Sequence, residues 1–474
     1  MKRRQFLKTA AAAAGAAIGF PTIVPRSVFG QNAPSNRISL GIIGVGNRGG
    51  LLALHKVNKD LAVLAGLSDC FQSKRDNVTR LLNKKYGGNV CTPHRDYREL
   101  LARDDIDGVI IATHDQWHVP LAIAAARAKK HMYVEKPLST SVRWSQQLRK
   151  ELAGKNLIFQ FGTNQRGDIK AFRQACDLVA NGYIGKLKEV HAWCPDMRQD
   201  VNNVRHSPFG RFIEEPVPQG FDYDVWIGPA GMNPYTTDRT DNFGGWHRYE
   251  TSLGYVGGWG AHPLDIALWG SGHQFEPPVR YEATARMPQQ FTREELLPLM
   301  KEHLRDKLDM SNEFYNTICK WDLHAEFADG LKLRFMTSDI ARPELDKYHA
   351  VKRDHGTTFF GEDGWIGVDR SAFYSHDNNA LRSVTLKPGE KSLDVHESRT
   401  HMDHFVHAIK TGAPSGTPFE AAFASDVIAH MTDISSRLGR KIEWDPKTEN
   451  IVRDDEANAM LDRKPRQGYD FFLA

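Results

Sequence analysis

The stretch that decides the fold reads Ile38-Ser-Leu-Gly-Ile-Ile-Gly44-Val-Gly46-Asn-Arg-Gly49. Its first half is a short apolar run, which suits a strand buried on both faces of a sheet. The run leads directly into a G-x-G-x-x-G pattern, and a helix is predicted from about Gly50 to Val57. Glycines at such a turn allow the backbone to approach a pyrophosphate closely. The stretch therefore predicts the start of a dinucleotide-binding unit.

Further along the chain, short apolar runs alternate with helical segments. The runs that predict strands are Leu61–Leu67, Gly108–Ala112, His131–Val134 and Leu157–Phe161. Strands that alternate with helices in this way indicate a parallel, doubly wound α/β sheet. We expect this Rossmann domain to occupy residues 38–162.

Asp69 stands at the end of the second predicted strand, where an acidic residue has a specific meaning. It lies about 20 positions after Gly49, the spacing at which a carboxylate binds the adenosine ribose hydroxyls. Its charge would repel a 2′-phosphate, so NAD is favoured over NADP. Lys74 and Arg75 lie nearby and keep NADP as an alternative. A glycine turn that binds no ligand is the other alternative.

Composition and charge exclude several classes of protein. The chain has 474 residues, of which 41% are hydrophobic and 25% charged, values that are ordinary for a globular protein. They exclude a collagen, a disordered tail protein and a polytopic membrane protein. The net charge of the whole chain is +4, and it is concentrated in residues 1–30, which contain five basic residues and no acidic ones. The rest of the chain is therefore close to neutral. A near-neutral body argues against nucleic acid as a partner and favours a small ligand.

Residues 1–30 have the pattern of an export signal rather than of a folded element. Arg3-Arg4 precedes an apolar segment, Ala10–Phe20, and the pattern resembles a twin-arginine signal. The apolar segment would rise about 16 Å as a helix, too short to span about 30 Å of hydrocarbon as a stable anchor. A basic amphipathic helix is the alternative. We therefore expect a periplasmic or secreted protein, in which a linker at 31–37 follows the signal. We also expect its cysteines to be free thiols.

Two motifs after predicted strands resemble the Gfo/Idh/MocA oxidoreductases, which include glucose–fructose oxidoreductase and inositol dehydrogenase. These motifs are Thr113-His-Asp-Gln-Trp-His118 and Val134-Glu-Lys-Pro137. Asp224-Val-Trp-Ile-Gly-Pro229 and Gly257-Gly-Trp-Gly-Ala-His-Pro-Leu-Asp265 extend the resemblance. Each motif is short, but their order and spacing make the similarity specific.

The resemblance implies a second, α+β domain with an open, mostly antiparallel sheet over residues 163–445, followed by a C-terminal tail at 446–474. It also implies a homo-oligomer, a dimer or a tetramer, that assembles through the open sheet. Alternating residues predict strands at Leu187–Cys194, Trp321–Phe327 and Leu331–Met336, and a long helix is predicted over Glu420–Leu438. A helical insertion is expected at Glu294–Lys307.

The resemblance also assigns roles to particular residues. It implies that Lys136, His262 and Asp265 are catalytic, because oxidation of an alcohol needs a proton acceptor and a group that holds the oxyanion. Asp265 could instead cap a helix or fix the imidazole. The residues expected to bind the cofactor are Gly44, Gly46, Asn47, Arg48, Gly49, Asp69, Thr113, Trp117, His118, Glu135 and Asn164.

One departure from the family and one histidine cluster need separate interpretation. Many relatives carry an Asp four residues before the catalytic His, and here Gly258 occupies that position. Asp265, or an acid from another loop such as Asp222 or Glu250, could replace the missing carboxylate. His401-Met-Asp-His404-Phe-Val-His407 has spacing that could hold a metal, but it also fits a helix capped by Thr400. We favour the helix and predict no metal.

Three functions remain open from the sequence. The first is an NAD(P)-dependent oxidoreductase that acts on a sugar, a glycoside or a cyclic polyol. The second is an NAD-dependent glycosidase or lyase that oxidises the sugar only transiently. The third is a non-catalytic sugar-binding or sensor protein, which loss of Lys136 or His262 would have favoured.

Overall fold

The computed structural model describes residues 37–473 except for 197–212, 242–243, 307, 309, 311–314, 351–352 and 394–398. The predicted export signal at 1–30 and nearly all of the predicted linker at 31–37 lie outside the described residues. Among the helices that the structure describes, none is both long enough and apolar enough to cross a bilayer.

The first domain contains the parallel sheet that the sequence predicted, with the five expected strands and a sixth, Thr92–His94, that was not predicted. The strands are β1 (Ile38–Ile43), β2 (Ala62–Ser68), β3 (Thr92–His94), β4 (Gly108–Ile111), β5 (His131–Val134) and β6 (Phe159–Phe161). Their order is β3-β2-β1-β4-β5-β6, and every neighbouring pair is parallel. The order reverses between β1 and β4, and ligands of open α/β sheets bind beside such a switch point.

Helices cover both faces of this sheet. They are α1 (Asn47–Leu51), α2 (Gln72–Tyr86), α3 (Tyr97–Leu101), α4 (His118–Arg127) and α5 (Val142–Leu152). The helix predicted over Gly50–Val57 begins earlier, at Asn47, and continues after Leu51 as a π-helical turn, Leu52–Lys56. The apolar strands β1, β4 and β5 are buried between the helical layers.

The second domain contains a nine-stranded sheet in the described part of the chain. Its strands are β7 (Leu187–Cys194), β8 (Arg280–Arg286), β9 (Lys320–Glu326), β10 (Lys332–Thr337), β11 (Gly356–Gly361), β12 (Trp365–Asp369), β13 (Phe373–Ser375), β14 (Ile442–Asp445) and β15 (Asn450–Ile451). Their order is β13-β12-β11-β7-β10-β9-β8-β14-β15. Only the pair β7 and β10 is parallel among these described strands, so the expected open, mostly antiparallel sheet is confirmed.

Helices of the second domain pack on both faces of that sheet and at the domain junction. They are α6 (Gln165–Asp168), α7 (Lys170–Ala180), α8 (Tyr223–Ile227), α9 (Thr237–Thr240), α10 (Tyr255–Gly258), α11 (Ala261–Ser271), α12 (Arg293–Leu296), α13 (Glu302–Arg305), α14 (Ser338–Leu345), α15 (His401–Thr411), α16 (Phe419–Leu438) and α17 (Asp455–Ala459). The buried α11 lies against α7, α16 and the strands β7 and β11.

The insertion expected as a helix at Glu294–Lys307 is instead a set of short turns. Helix α12 ends at Leu296, a 3-10 turn covers Leu297–Leu299, and α13 follows. Pro298 stands in the middle of this segment, and proline interrupts a continuous helix. The segment buries Leu296, Met300 and Leu304 in a small core of its own.

Two late segments pack on the first domain. Helix α15 is capped by the Thr400 side chain, as predicted, and its Phe405 and Val406 join the core beneath β1 and β4. Residues 446–474, expected to be a tail, supply β15 and α17 and then return to α5. There the fully buried Phe472 meets Trp144 with ring centroids 4.9 Å apart. Segments of the chain that follow the predicted domain boundary at 162/163 therefore also pack on the first domain.

We expect Phe472→Ala to destabilise the protein, because the substitution leaves a cavity against Trp144. Loss of a buried phenylalanine costs roughly 3–5 kcal/mol in the free energy of unfolding. Chemical denaturation of the purified protein measures this. The matched control is Leu473→Ala, since Leu473 is 44% exposed. Equal stability of the two variants would contradict an anchored C-terminal segment.

Candidate active site

The glycine-rich turn after β1 is shaped by close backbone approaches. Gly44 has a φ of +84°, and a Cβ there would lie 2.7 Å from the carbonyl oxygen of Ala112. A Cβ at Gly49 would lie 1.9 Å from the carbonyl oxygen of Gly44. A Cβ at Gly46 would meet nothing within 4 Å, and Gly46 lines a cavity. The outer glycines thus permit the packing, and the middle one leaves the backbone accessible to a ligand.

That cavity has a volume of about 390 Å³ and lies at the carboxyl ends of β1, β2, β4 and β5. Nine of the predicted site residues line it: Gly44, Gly46, Asn47, Arg48, Asp69, Thr113, Trp117, Glu135 and Lys136. The second domain contributes Val225, Trp226, Thr240, Trp246 and Trp259. A glycine turn, an acid and an aromatic wall around one cavity fit a dinucleotide.

Asp69 is held rigidly at the rim of the glycine turn. Its Oδ2 accepts a hydrogen bond from the Val45 amide at 2.7 Å, and its Oδ1 accepts one from the Phe71 amide at 2.8 Å. Each carboxylate oxygen retains a further lone pair for a ribose hydroxyl. Lys74 and Arg95 also line the cavity here. The arrangement therefore fits the ribose of NAD. Lys74 and Arg95 are the neighbouring cations that could bind the 2′-phosphate of NADP.

Glu135 and Lys136 follow β5 and have different surroundings. Glu135 forms an ion pair with Arg48, in which the Nε–Oε1 distance is 2.7 Å. The Lys136 Nζ lies 4.4 Å from the centroid of the Trp246 ring and makes no ion pair with a described residue. Burial lowers the pKa of Lys136 to about 8, although Glu135 and Asp115 act to raise it. A substantial fraction of the amine is therefore neutral near physiological pH.

His262 lies in the first turn of α11, close to the same aromatic wall. Its side chain is buried, and its Nδ1 has no hydrogen-bond partner among the described residues. The ring centroids of His262 and Trp259 lie 6.1 Å apart, and the Lys136 Nζ lies 5.9 Å from the Trp259 centroid. Burial lowers the pKa of His262 well below its ordinary value, and Arg370 and Lys136 lower it further. The structure thus brings Lys136 and His262 to one ring.

Asp265, expected to be catalytic, lies elsewhere. Its two oxygens accept hydrogen bonds from Arg166 at 2.7 and 2.5 Å, and both side chains are buried. Asp265 does not line the cavity, and no hydrogen bond joins it to His262. It shares a helix with His262, but α11 is buried on all its faces, so the common helix does not bring it to the cavity. We assign it a positioning role.

Three residues expected to bind the cofactor do not line the cavity: Gly49, His118 and Asn164. The ring nitrogens of His118 lie 2.6 Å from the carbonyl oxygen of Pro137 and 3.2 Å from that of Thr113. Asn164 donates a hydrogen bond to Asp168 at 3.1 Å. His118 therefore positions the two strand-end loops that carry Thr113 and Lys136.

All three acids considered as replacements at the Gly258 position are committed to other partners, Asp265 to Arg166. Asp222 pairs with Arg95 and caps α8, and Glu250 pairs with Arg239 and Arg248. A Cβ at Gly258 would lie 3.8 Å from the Trp246 ring, an ordinary contact. Gly258 thus leaves the aromatic wall without a carboxylate.

The sequence interpretation missed two basic residues near the Trp259 ring. His355 precedes β11, and its ring centroid lies 5.0 Å from that of Trp259. Arg370 follows β12, and its guanidinium lies 5.6 Å from the Trp259 centroid. Neither residue belongs to a local motif, because only the pairing of β7, β11 and β12 brings them here. No pattern in the sequence could have indicated them.

Two family models match the chain. The model described as an oxidoreductase family, NAD-binding Rossmann fold, matches residues 38–163. The model for the C-terminal alpha/beta domain of the same oxidoreductase family matches residues 209–294 and 381–471. Together they cover well over half of the chain.

Curated relatives match over part of their length. Myo-inositol 2-dehydrogenase of Thermotoga maritima is 33% identical over 147 residues, which are 31% of this chain and 42% of that protein. Alpha-N-acetylgalactosaminidase of Shewanella oneidensis is 29% identical over 230 residues, 43% of this chain and 48% of that protein. The matches thus span less than half the length of these relatives. A solved levoglucosan dehydrogenase, in complex with NADH and levoglucosan, shares the fold with a TM-score of 0.56 and 16% identity, over 86% of this chain and 99% of the other.

We expect Asp69→Ala to weaken NAD binding and to narrow the preference for NAD over NADP. The variant loses the ribose acceptor and the charge that repels a 2′-phosphate. Hydrogen bonds to a charged group contribute about 1.5–3 kcal/mol, so a loss of roughly tenfold or more in NAD affinity follows. Calorimetric titration with each nucleotide measures both effects. Asp76→Ala, at an exposed position of α2, serves as control. Unchanged selectivity would mean that another residue binds the ribose.

Proposed function

Since the chain belongs to the Gfo/Idh/MocA oxidoreductase family, we propose that it oxidises and reduces a sugar, a glycoside or a cyclic polyol with NAD. One observation carries the proposal. Lys136 and His262 meet at an aromatic wall of the cavity that the glycine turn opens. A nucleotide cradle and two groups able to move a proton thus share one site.

NAD, when bound, supplies the acceptor for a hydride from a carbinol carbon. The residues of this chain that would hold it are those of the glycine turn, with Asp69 toward the ribose and Thr113 and Trp117 toward the other end of the cavity. The Trp117 indole is fixed because its Nε1 donates a hydrogen bond to the carbonyl oxygen of Val225 at 2.8 Å. This contact joins the two domains at the cavity.

Lys136 is the group that we assign to the substrate hydroxyl. Burial brings its pKa to about 8, so the neutral amine can accept the hydroxyl proton near physiological pH. Once protonated, the same nitrogen carries the charge that would stabilise an alkoxide. Its Nζ is available for this because it makes no hydrogen bond or ion pair with a described residue.

His262 would complete the proton pathway. Because its pKa is depressed, the imidazole is neutral and can accept or donate a hydrogen bond at its unpartnered Nδ1. Trp246 and Trp259 are half-buried and present ring faces on which the apolar face of a sugar can stack. These contacts would orient the ring while Lys136 takes the proton.

A glycosidase or lyase that uses transient oxidation is the second candidate. The similarity to a protein named alpha-N-acetylgalactosaminidase favours it. The same proton groups would serve, since oxidation of one carbon acidifies the neighbouring C–H. The Arg3-Arg4 signal supports export of the folded protein, and an exported enzyme has no free pool of NAD. We therefore propose that the cofactor stays bound between turnovers.

We expect kcat/KM for alcohol oxidation to rise with pH through about 8, because the neutral fraction of Lys136 rises there. Lys136→Ala should lose about 10²–10⁴ in rate together with this pH dependence. His262→Ala should lose rate but retain the rise. Lys84→Ala, on the exposed side of α2, is the control. A flat profile in the unmodified enzyme would contradict the role of Lys136.

We expect holoenzyme to form a ketoglycoside from a glycoside without added NAD, provided that a second carbonyl compound accepts the electrons. The bound cofactor must be reoxidised within the same site. Mass spectrometry of the products measures this. Release of the free aglycone without an acceptor would support the glycosidase or lyase instead. A requirement for added, exchanging NAD would refute the bound cofactor.

A further inference from the structure

Four nitrogen-bearing side chains surround the ring of Trp259, which lines the cavity; of the four, only Lys136 lines the cavity itself. The Lys136 Nζ and the Arg370 guanidinium lie 5.9 and 5.6 Å from the Trp259 centroid. The ring centroids of His355 and His262 lie 5.0 and 6.1 Å away. The pKa values of both histidines are lowered, so Lys136 and Arg370 are the cations of the group, and they reach the same ring from different domains. We call these four residues the Trp259 cluster.

Within the described part of the chain, no carboxylate pairs with the two cations of the cluster. The acids that act on the pKa of Lys136 have other partners: Glu135 pairs with Arg48, and Asp115 accepts a hydrogen bond from Ser252. The acid that acts on the pKa of Arg370 is Asp168, which pairs with Lys56 at 3.0 Å.

The buried histidines of the cluster also lack partners. The Nε2 of His355 and the Nδ1 of His262 make no hydrogen bond with a described residue, and the two side chains are 6% and 4% exposed. A buried polar atom left unpaired costs free energy unless a ligand or water satisfies it. The cluster therefore has both an excess of positive charge and unused hydrogen-bonding capacity.

The pKa values agree with this geometry. Burial, Arg370 and Arg353 together lower the pKa of His355 to about 3. Packing around the Arg370 guanidinium and the charges of Arg48 and Arg353 lower the pKa of Arg370, although the residue keeps part of its surface exposed. Arg353 donates a hydrogen bond to the Ser371 hydroxyl rather than to an acid. Guanidinium groups thus repel one another here, and an anion would relieve that repulsion.

We propose that the substrate is an anionic sugar, with a carboxylate or phosphate group that binds to Arg370 beside Trp259 while its ring reaches Lys136. The proposal rests on the proposed function and narrows its substrate class. Arg370 is exposed, so an anion can reach it from solvent, and its planar guanidinium can donate two parallel hydrogen bonds to either group. His355 can donate a further hydrogen bond from Nε2 in the appropriate tautomer.

The test uses pairs of sugars that differ only in the anionic group. The pairs are methyl β-D-glucuronide with methyl β-D-glucoside, the corresponding galacto pair, and glucose 6-phosphate with glucose. Binding to the NADH-loaded protein is followed by nucleotide fluorescence, and turnover is measured separately with the NAD-loaded protein. We expect the anionic member of at least one pair to bind tenfold or more tightly, and rising salt to reduce this preference. The pair that shows it distinguishes carboxylate from phosphate.

Variants at Arg370 decide whether this residue carries the preference. Arg370→Gln should reduce the preference to about twofold or less without weakening the neutral sugar, and Arg370→Lys should restore part of it. Arg382→Gln is the matched control, because Arg382 is an exposed arginine of the 3-10 turn Ala380–Ser383 and does not belong to the Trp259 cluster. Thermal midpoints of the variants verify that each one folds.

The outcomes separate this inference from the proposed function. Equal binding within every pair, or a preference that survives Arg370→Gln, would overturn the inference, and Lys136-dependent turnover of neutral sugars would leave the oxidoreductase intact. Arg370-dependent binding of anions without turnover of any pair would support the anion site and count against the oxidoreductase.

Discussion

The position of His262 in the active site depends on the buried ion pair between Arg166 and Asp265. Arg166 lies in α6, directly after the last strand of the first sheet, and Asp265 lies in α11, three residues after His262. Both side chains are nearly excluded from solvent, at 3% and 0% exposed. Removal of one partner from such a pair leaves an uncompensated charge and costs roughly 3–5 kcal/mol. The pair therefore ties α11, the helix that carries His262, to the segment of chain that leaves the last strand of the first sheet.

Two basic side chains near the Trp259 ring have no ion-pair partner among the described residues. Lys136 comes from the strand-end loop after β5, and Arg370 comes from the turn after β12. Of the acids that act on these two cations, Glu135 and Asp168 are paired with Arg48 and Lys56, and Asp115 accepts a hydrogen bond from Ser252. Burial and the charges of Arg370 and Lys136 keep the imidazole of His262 neutral.

The parts of the site that the sequence predicted are those encoded by local geometry. The glycine turn and Asp69 follow from the spacing between adjacent strands and their loops, and the resemblance implied that Lys136 follows β5. All three line the cavity. The resemblance could not show the partner of Asp265, because Arg166 lies about a hundred residues earlier in the chain and meets the carboxylate only in the fold.

The rest depends on contacts between segments distant in the chain. The open sheet was expected from the resemblance. Its parallel pair, however, joins β7 and β10, which are separated by well over a hundred residues. The packing of α15 and Phe472 on the first domain likewise has no local signal in the sequence. The sequence interpretation missed the break in the helical insertion near Pro298, because it gave the helical pattern of the segment more weight than the single proline.

Gly258 shows how one small residue changes the chemistry of the site. With no side chain there, the cavity face of Trp246 carries no acid, and Asp222 and Glu250 cannot supply one because arginines hold them. A carboxylate at that position would raise the pKa of Lys136 and remove the neutral amine that proton abstraction requires. It would also repel an anion bound at Arg370. The absence of a side chain at Gly258, the lowered pKa of Lys136 and the unpaired Arg370 are therefore mutually consistent. Together they leave Arg370 without a carboxylate partner among the described residues, and this is the feature that the proposed anionic group would use.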